Sequence, residues 1–232
     1  MGIARKLHNF LHPALGRIWM LHRVVDRIGP QLEAPRLEVT GTFFAEALDA
    51  LRSQGIEFIG IDQVSSRLKS KNRKPFVCVT FDDGYWDTYS LAYPMLKERQ
   101  IPFCIYMTRD FYRGDARPHW NPEAPMMGVD QLLELGSDLL CTIGVHTCSH
   151  PHLSQLVVEE QWREMADCKA DLERLLGKSM LHMAYPYGDY NQATIQIARD
   201  LGFETAVTTS GRQVRNDVSL LELDRVTFMQ SE

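Results

Sequence analysis

The chain has 232 residues, and its 25 lysines and arginines against 30 aspartates and glutamates give a formal net charge of −5 at pH 7. This balance, without a basic stripe, argues against a nucleic-acid-binding protein. The hydrophobic content of 44% is normal for a soluble globular domain. The length suits one α/β domain but is short for a complete eight-unit barrel, which needs about 250 residues. We therefore expect one domain over residues 1–232.

The N-terminal residues and the cysteines indicate the compartment. The sequence has no transmembrane segment, and its first residues lack the continuous apolar core of a signal peptide. Residues 3–18 are weakly amphipathic and basic, which favours a packing helix, with peripheral attachment to a membrane surface as the alternative. The five cysteines have no CxxC pair and indicate buried free thiols in a reducing compartment. The expected location is therefore cytoplasmic.

Apolar runs of strand length alternate with segments of helical period, which predicts parallel strands flanked by helices. The predicted strands cover residues 18–24, 57–61, 76–81, 103–107, 141–145, 183–185, 205–208 and 221–227. The predicted helices cover residues 43–54, 63–68, 89–99, 129–135, 158–176 and 192–201. Pro94 should kink its helix or mark the true first turn. Asp62 and Asn191 occupy positions typical of helix N-caps.

Two adjacent aspartates, Asp82 and Asp83, follow the apolar run at 76–81 and precede Gly84. In α/β barrels the carboxyl end of a strand carries the active site. Two adjacent buried carboxylates repel each other unless something neutralises one of them. A divalent cation bound to one does so and leaves the other free to act as a base. The alternative is an ordinary Asp-Asp-Gly turn that caps the following helix.

Two histidines four residues apart, His146 and His150, follow the strand at 141–145. This spacing suits a shared metal ion in either a helical turn or a strand-end loop. His152 adds a third imidazole, but its offset points it away from the pair, with contact to substrate or metal as the alternative. One carboxylate and two imidazoles, with a second carboxylate as base, are the minimum equipment for metal-assisted hydrolysis.

Two further features carry chemical signals. Proline fixes its own φ and has no N–H, so the N–H of Tyr187, which follows Pro186, projects from a rigid loop. Such an N–H is a good oxyanion donor, although a simple Pro-Tyr-Gly turn is the alternative. Residues 109–127, which include Trp120, form the longest segment without clear periodicity, and loops of this length are often functional.

Together, these motifs resemble the polysaccharide deacetylases that share the NodB homology domain, carbohydrate esterase family four. The resemblance rests on TFDDG at 80–84, HTxxH at 146–150 and Pro-Tyr at 186–187, and it spans most of the chain. It implies a distorted or incomplete (β/α) barrel. The implied site residues are the general base Asp82, the metal ligands Asp83, His146 and His150, and the oxyanion donor N–H of Tyr187.

The chain departs from the family pattern in three places. Ala184 stands where the family often has an arginine, the acidic DxxDW element is absent after Phe203, and the late Leu-x-His is missing. The early segment at 19–24 resembles instead the Tyr-His-Arg-Val element of the circularly permuted branch, which includes poly-N-acetylglucosamine deacetylases. In that branch the first-strand histidine is the general acid. The resemblance therefore assigns the acid role to His22, with a core histidine as the alternative.

The function implied by the resemblance is metal-dependent removal of N-acetyl groups from an N-acetylated sugar in a polysaccharide or its precursor. The ligand set suits Zn²⁺, with Co²⁺ or Ni²⁺ as alternatives. Trp120 and Tyr187 offer rings for stacking on sugar faces, and a core or rim position for Trp120 is the alternative. A second interpretation is a deformylase or O-deacetylase acting on a lipid-linked sugar. A third is an inactive metal-bearing glycan-binding module, because the family's arginine is absent.

Overall fold

The computed structural model describes residues 16–28, 37–72, 74–213 and 219–230. In these ranges the strands are β1 Gly16–Leu21, β2 Arg23–Val25, β3 Glu38–Thr40, β4 Glu57–Phe58, β5 Phe76–Phe81, β6 Phe103–Met107, β7 Cys141–Val145, β8 His182–Ala184, β9 Thr205–Val207 and β10 Val226–Thr227. The α-helices are α1 Gly41–Ser53, α2 Ile61–Lys69, α3 Tyr93–Glu98, α4 Arg109–Arg113, α5 Val129–Ser137, α6 Val158–Leu176 and α7 Gln192–Asp200. A π-helical turn at Thr88–Ala92 precedes α3, and single 3₁₀ turns lie at Leu153–Gln155 and Pro186–Gly188.

Eight parallel strands form the main sheet, in the order β10-β1-β5-β6-β7-β8-β9, with β4 paired to the start of β5. Strands β1 and β5 are neighbours and pair along their whole length. Gly16 lies opposite Phe76 at one end, and Leu21 lies opposite Phe81 at the other. Because all pairs are parallel, the carboxyl ends of these strands meet at one edge of the sheet.

The last described segment, residues 219–230, contains β10 and contacts both β9 and β1. Leu223 forms a parallel bridge with Val207 of β9. Three residues later, Val226 pairs with Trp19 of β1. The sheet therefore curls into an incomplete barrel, which confirms the fold class predicted from the sequence.

Side chains of β5 alternate between two buried apolar clusters. Val77, Val79 and Phe81 pack in the larger cluster, which includes the residues of the outer helices. Phe76 and Cys78 point the other way, into a smaller cluster inside the curled sheet. This period of two is the expected consequence of strand geometry. It also means that Thr80 and Asp82, which continue the inner row, aim at the interior of the barrel.

The predicted strands at 76–81, 103–107 and 141–145 and the predicted helix at 158–176 have the observed bounds. The predicted strand at 18–24 is instead two strands, because the chain leaves the main sheet after Leu21 and β2 pairs with β3. Strand β3 was not predicted, since three residues are too few to show a period of two.

The structure tests the predictions made for three helix starts. Pro94 lies in the first turn of α3, where its missing N–H removes no helical hydrogen bond, so it marks a true start within the predicted helix 89–99. At α2 the prediction of Asp62 as N-cap is wrong. Gly60 is the N-cap, and its N–H donates to the side chain of Gln63 at 3.1 Å. Asn191 caps α7 as predicted.

Among the described residues, no helix is both long enough and apolar enough to cross a membrane. The amphipathic segment predicted at 3–18 lies outside the described residues except for its last three positions. The predicted free thiols are confirmed: every cysteine is buried and unpaired. They are Cys78, Cys104, Cys141, Cys148 and Cys168.

Candidate active site

The sequence-predicted residues come from the carboxyl ends of neighbouring strands. Asp82 and Asp83 follow β5, and His22 follows β1. His146 follows β7, and Tyr187 follows β8. This is the edge at which parallel α/β sheets place their ligands, because loops from several strands converge there.

Three of the predicted residues form a buried cluster. The Oδ1 atom of Asp83 lies 3.5 Å from Nε2 of His146 and 3.4 Å from Nε2 of His150. One ligand atom from each residue lies within 4.8 Å of the other two. Neither oxygen of Asp83 has a hydrogen-bond partner among the described residues, although its side chain is fully buried. A cation would offset the free-energy cost of that burial, so these donors fit a divalent metal ion.

The protonation states of the cluster follow from burial. Burial raises the pKa of Asp83 well above its ordinary value, and the neighbouring charge of Asp82 raises it further. Burial also lowers the pKa of His146, and it lowers the pKa of His150 to about 2. Both imidazoles are therefore neutral at neutral pH, the form that binds a metal ion. A bound cation would stabilise the carboxylate of Asp83 and so favour its ionised form.

The main chain of β8 orients His146. The Nδ1 atom of His146 lies 2.8 Å from the carbonyl oxygen of Ala184. We therefore assign the proton to Nδ1, which leaves the lone pair of Nε2 directed toward Asp83. Ala184, the position at which the family arginine is absent, thus contributes a main-chain acceptor to the cluster.

The two histidines lie in a strand-end loop. The sequence analysis left open a helical turn or a strand-end loop, and the loop is what forms. The hydroxyl of Thr147 accepts a hydrogen bond from the N–H of His150 at 3.1 Å. Glu164 of α6 accepts from the N–H groups of Cys148 and Ser149, each at 2.9 Å. These bonds satisfy the loop's main chain and fix the separation of the two imidazoles.

Asp82 forms a bidentate ion pair with Arg225 inside the barrel. Its Oδ1 and Oδ2 atoms accept from Nη1 and Nη2 of Arg225, each at 2.7 Å. Two further N–H groups of the fully buried guanidinium donate to the carbonyl of Thr208 at 3.0 Å and to the hydroxyl of Thr80 at 3.1 Å. Burial alone would raise the pKa of Asp82, but the charge of Arg225 outweighs it and holds that pKa below its usual range.

Arg225 is a residue that the sequence analysis did not assign to the site. Ala184 stands where the family often has an arginine, and the guanidinium that contacts Asp82 comes instead from another part of the chain. No pattern in the sequence singles Arg225 out, because Glu222 and Asp224 lie in the same stretch and the predicted strand at 221–227 forms only at Val226–Thr227.

The backbone is strained at most of the site motifs. Asp83 and Gly84 are consecutive left-handed residues, with φ of 70° and 85°, and a Cβ on Gly84 would lie 2.6 Å from Cε of Met107. Each non-glycine residue in this region costs about 1–3 kcal/mol, and such residues concentrate at functional sites. The described non-glycine residues with left-handed φ are Asp83, Gln100, Thr147, His150 and Tyr187.

His22 lies beside Asp82. The N–H of Asp82 donates to the carbonyl of Leu21 at 2.9 Å, so His22 is the next residue in register with Asp82. The hydroxyl of Thr88 donates to the carbonyl of His22 at 3.2 Å. Burial lowers the pKa of His22 to about 4, although the charge of Asp82 acts in the opposite direction. The position suits a proton donor, and the pKa sets the pH range in which it can act.

An aromatic wall borders the cluster. The ring centroid of Trp120 lies 4.7 Å from that of His150 and 5.9 Å from that of Tyr187. The indole N–H of Trp120 donates to the hydroxyl of Tyr85 at 2.9 Å. Trp120 is half-buried and Tyr187 is 39% exposed, so their rings stand at the rim of the site. Whether Trp120 also binds substrate stays a prediction.

The segment at 109–127 begins with the short helix α4. The sequence did not predict this helix, because five residues are too few to show a periodic pattern. Main-chain hydrogen bonds hold the C-terminal end of this segment next to the residues that follow Asp82 and Asp83. The N–H of Met127 donates to the carbonyl of Gly84, and the N–H of Trp86 donates to the carbonyl of Pro125, each at 2.9 Å. The loop therefore forms a fixed wall next to Asp83.

A sequence profile of the polysaccharide deacetylase family matches residues 69–206. The chain belongs to the polysaccharide deacetylase family, a group of hydrolases. YxkH from Bacillus subtilis (strain 168), whose name places it among these deacetylases, is 29% identical over 217 residues, which cover 92% of this chain and 71% of YxkH.

Two solved structures share the fold. The Streptococcus pyogenes deacetylase PplD, solved in complex with acetate, superposes with a TM-score of 0.82 at 27% identity, over 94% of each chain. IcaB from Ammonifex degensii superposes with a TM-score of 0.77 at 26% identity, over 93% of this chain and 92% of IcaB. Both likenesses confirm the predicted family and the incomplete parallel barrel.

The geometry of the cluster predicts one divalent ion for each chain. Substitution of His146 or His150 by alanine should weaken Zn²⁺ binding by more than the 10–100-fold that loss of an outer-shell partner costs, because a direct ligand is lost. Calorimetric titration of the chelator-treated protein measures this. His119→Ala, which removes an exposed histidine outside the cluster, is the control and should bind as wild type. Wild-type affinity in both ligand variants would contradict the assignment.

The ion pair predicts a shift in the pH dependence of deacetylation. In Arg225→Met the charge that lowers the pKa of Asp82 is gone, whereas burial, which raises it, remains. Asp82 should then take up a proton at higher pH, so the acid limb of the kcat/KM profile should move to higher pH. Arg225→Lys, which keeps the charge without the bidentate contact, should move it less.

Thermal unfolding provides the control for this comparison. Removing one partner of a buried ion pair costs about 3–5 kcal/mol of stability, so profiles are compared only where each variant is folded. An acid limb in folded Arg225→Met that coincides with the wild-type limb would show that the guanidinium does not set the ionisation of Asp82.

Proposed function

We propose that the protein is a metal-dependent hydrolase that removes N-acetyl groups from an N-acetylated sugar in a polysaccharide or its precursor. The observation that carries the proposal is the ionised Asp82, held by Arg225, directly beside the cluster of Asp83, His146 and His150. A base next to a divalent cation is the arrangement that hydrolyses amides without a covalent intermediate.

The metal would be held by Asp83, His146 and His150. Their mixture of one carboxylate and two imidazoles suits Zn²⁺, and Co²⁺ or Ni²⁺ fit the same donors. When bound, the ion would polarise the acetamide carbonyl and lower the pKa of water in the site. The unpartnered, buried oxygens of Asp83 support this assignment.

The chain's own residues supply the proton transfers. Asp82 accepts a proton from the attacking water as the new C–O bond forms. The N–H of Tyr187 stabilises the negative charge that develops on the carbonyl oxygen. His22 donates a proton to the nitrogen as the C–N bond breaks. The products are acetate and the free amino sugar.

The aromatic wall would bind the sugar. The rings of Trp120 and Tyr187 stand next to His150 at the rim, where an apolar ring face can stack on the C–H groups of a pyranose. Deacetylation of a polymer needs such a surface open to solvent, so that a long chain can lie across the site.

Two other functions use the same residues. The inactive glycan-binding module rests on the absence of an arginine at the base, and Arg225 removes that reason. Deformylation or O-deacetylation of a lipid-linked sugar keeps the site and changes the bond that breaks. No contact in the described residues favours these reactions over N-deacetylation.

The test is incubation of the Zn²⁺-loaded protein with a panel of N-acetylated, O-acetylated and N-formylated oligosaccharides, followed by mass spectrometry. The expected result is loss of acetyl groups from nitrogen, with release of acetate. Loss of formyl groups or of acetyl groups from oxygen alone would replace the proposed reaction. Absence of any turnover despite bound Zn²⁺ would favour the binding module.

Asp82→Asn tests the base. The substitution keeps the shape of the side chain and removes its ability to accept a proton. We expect kcat to fall by about 10²–10⁴, the usual contribution of general acid–base catalysis, while Zn²⁺ affinity stays near wild type. Stopped assays of acetate release together with metal titration measure both. An unchanged kcat in the metal-loaded variant would place the base elsewhere.

His22→Asn tests the acid. A donor must be protonated in the free enzyme to contribute to kcat/KM, and the pKa of His22 is lowered to about 4. The alkaline limb of the wild-type kcat/KM profile should therefore begin near pH 4 rather than near the ordinary pKa of about 6.5. In His22→Asn this limb should flatten and kcat should fall, with Zn²⁺ affinity retained. A wild-type rate and limb in the variant would exclude this role.

A further inference from the structure

Tyr187 has a main-chain conformation that needs external support. Its φ of 59° and ψ of 5° lie in the left-handed region, which is unusual for a bulky aromatic residue and costs about 1–3 kcal/mol. Its carbonyl accepts from the hydroxyl of Thr209 at 3.1 Å, and the N–H of Gly188 donates to the carbonyl of Tyr185 at 2.8 Å. These bonds fix the turn after Tyr187 and leave its side chain to be held by ring contacts.

The closest ring contact of Tyr187 is with His152, outside the metal cluster. The two rings are nearly parallel, at 13°, with centroids 4.0 Å apart. His150 contacts the same tyrosine edge-on, at 4.5 Å and 76°. Because Tyr187 is 39% exposed, the stack with His152 covers a face that would otherwise be free to move into solvent.

His152 lies beside Asp189, at a point where two loops are joined. Its Nδ1 atom lies 3.9 Å from Oδ2 of Asp189. Asp189 accepts hydrogen bonds from the N–H of Ser154 at 2.8 Å and from the hydroxyl of Ser154 at 2.7 Å. Asp189 follows β8 and Ser154 follows β7, so this contact fastens the loop of the metal-binding histidines to the loop of Tyr187.

We propose that His152, on the loop that Asp189 fastens through Ser154, is a positioning residue that holds Tyr187 in the strained conformation from which its N–H reaches the oxyanion. The proposal rests on the proposed function, because it assigns a purpose to the geometry of Tyr187. His152 acts through its ring face. It is neither a ligand of the cluster, from which it is absent, nor a carrier of the reacting proton.

The substitutions His152→Ala and His152→Phe separate these roles. Alanine removes the stack, and a displacement of about 1 Å at a catalytic group lowers the rate by about 10²-fold, so we expect a fall in kcat of that order. The Zn²⁺ affinity should stay near wild type, and any rise in KM should be smaller than the fall in kcat. Phenylalanine keeps a flat ring against Tyr187 but has no titratable group, so it should restore most of kcat.

Each other kinetic result would overturn the proposal. If His152→Phe is as slow as His152→Ala, the imidazole itself takes part in the chemistry. If only KM rises in His152→Ala, the residue contacts substrate instead. If kcat is unchanged in His152→Ala, the stack has no catalytic effect.

A second readout does not depend on turnover. Hydrogen exchange of the peptide that covers residues 185–190 should be faster in His152→Ala than in wild type, and close to wild type in His152→Phe. His119→Ala, another exposed histidine near the aromatic wall, should leave this exchange unchanged. Unchanged exchange in His152→Ala would overturn the positioning role. If the wild-type protein hydrolyses no acetylated sugar while the exchange results hold, the failure belongs to the proposed function.

Discussion

The ion pair between Arg225 and Asp82 connects the architecture of this protein to its chemistry. It lies inside the curled sheet, with both side chains almost fully buried, and both carboxylate oxygens are engaged at 2.7 Å. A buried charge is tolerated only when its partner is placed correctly. Here the partner is carried by the segment that contacts both β9 and β1. The same stretch of chain therefore closes the sheet and stabilises the ionised form of Asp82.

The same ion pair makes two adjacent carboxylates differ in their pKa values. Asp82 and Asp83 are neighbours in sequence and both are buried, yet their pKa values move in opposite directions. The guanidinium stabilises the charge of Asp82. Asp83 has no such partner and faces two neutral imidazoles. Environments that separate the pKa values of paired acids mark a division of roles, with one suited to proton transfer and the other to a cation.

Most of the site could be predicted because its residues lie in short motifs at strand ends. The Asp82-Asp83 pair follows a strongly apolar strand, and parallel pairing places that strand end beside that of β1 and one strand away from that of β7. Arg225 could not be placed, since it lies 143 residues from its partner and only the curl of the sheet brings the two together. The stacking of His152 on Tyr187 could not be predicted from the sequence either, because it depends on the relative position of two loops.

Rigidity of the loops explains how the strained residues persist. Asp83, His150 and Tyr187 lie just beyond strand ends, where the ladder of main-chain hydrogen bonds stops and loop groups need other partners. Side chains supply them: Glu164 bonds the loop of His150, and Thr209 bonds the carbonyl of Tyr187. The bonds that satisfy the exposed main chain are thus the bonds that hold left-handed conformations. Local strain at these positions is offset within the loops themselves, so the donor atoms are already gathered before a substrate arrives.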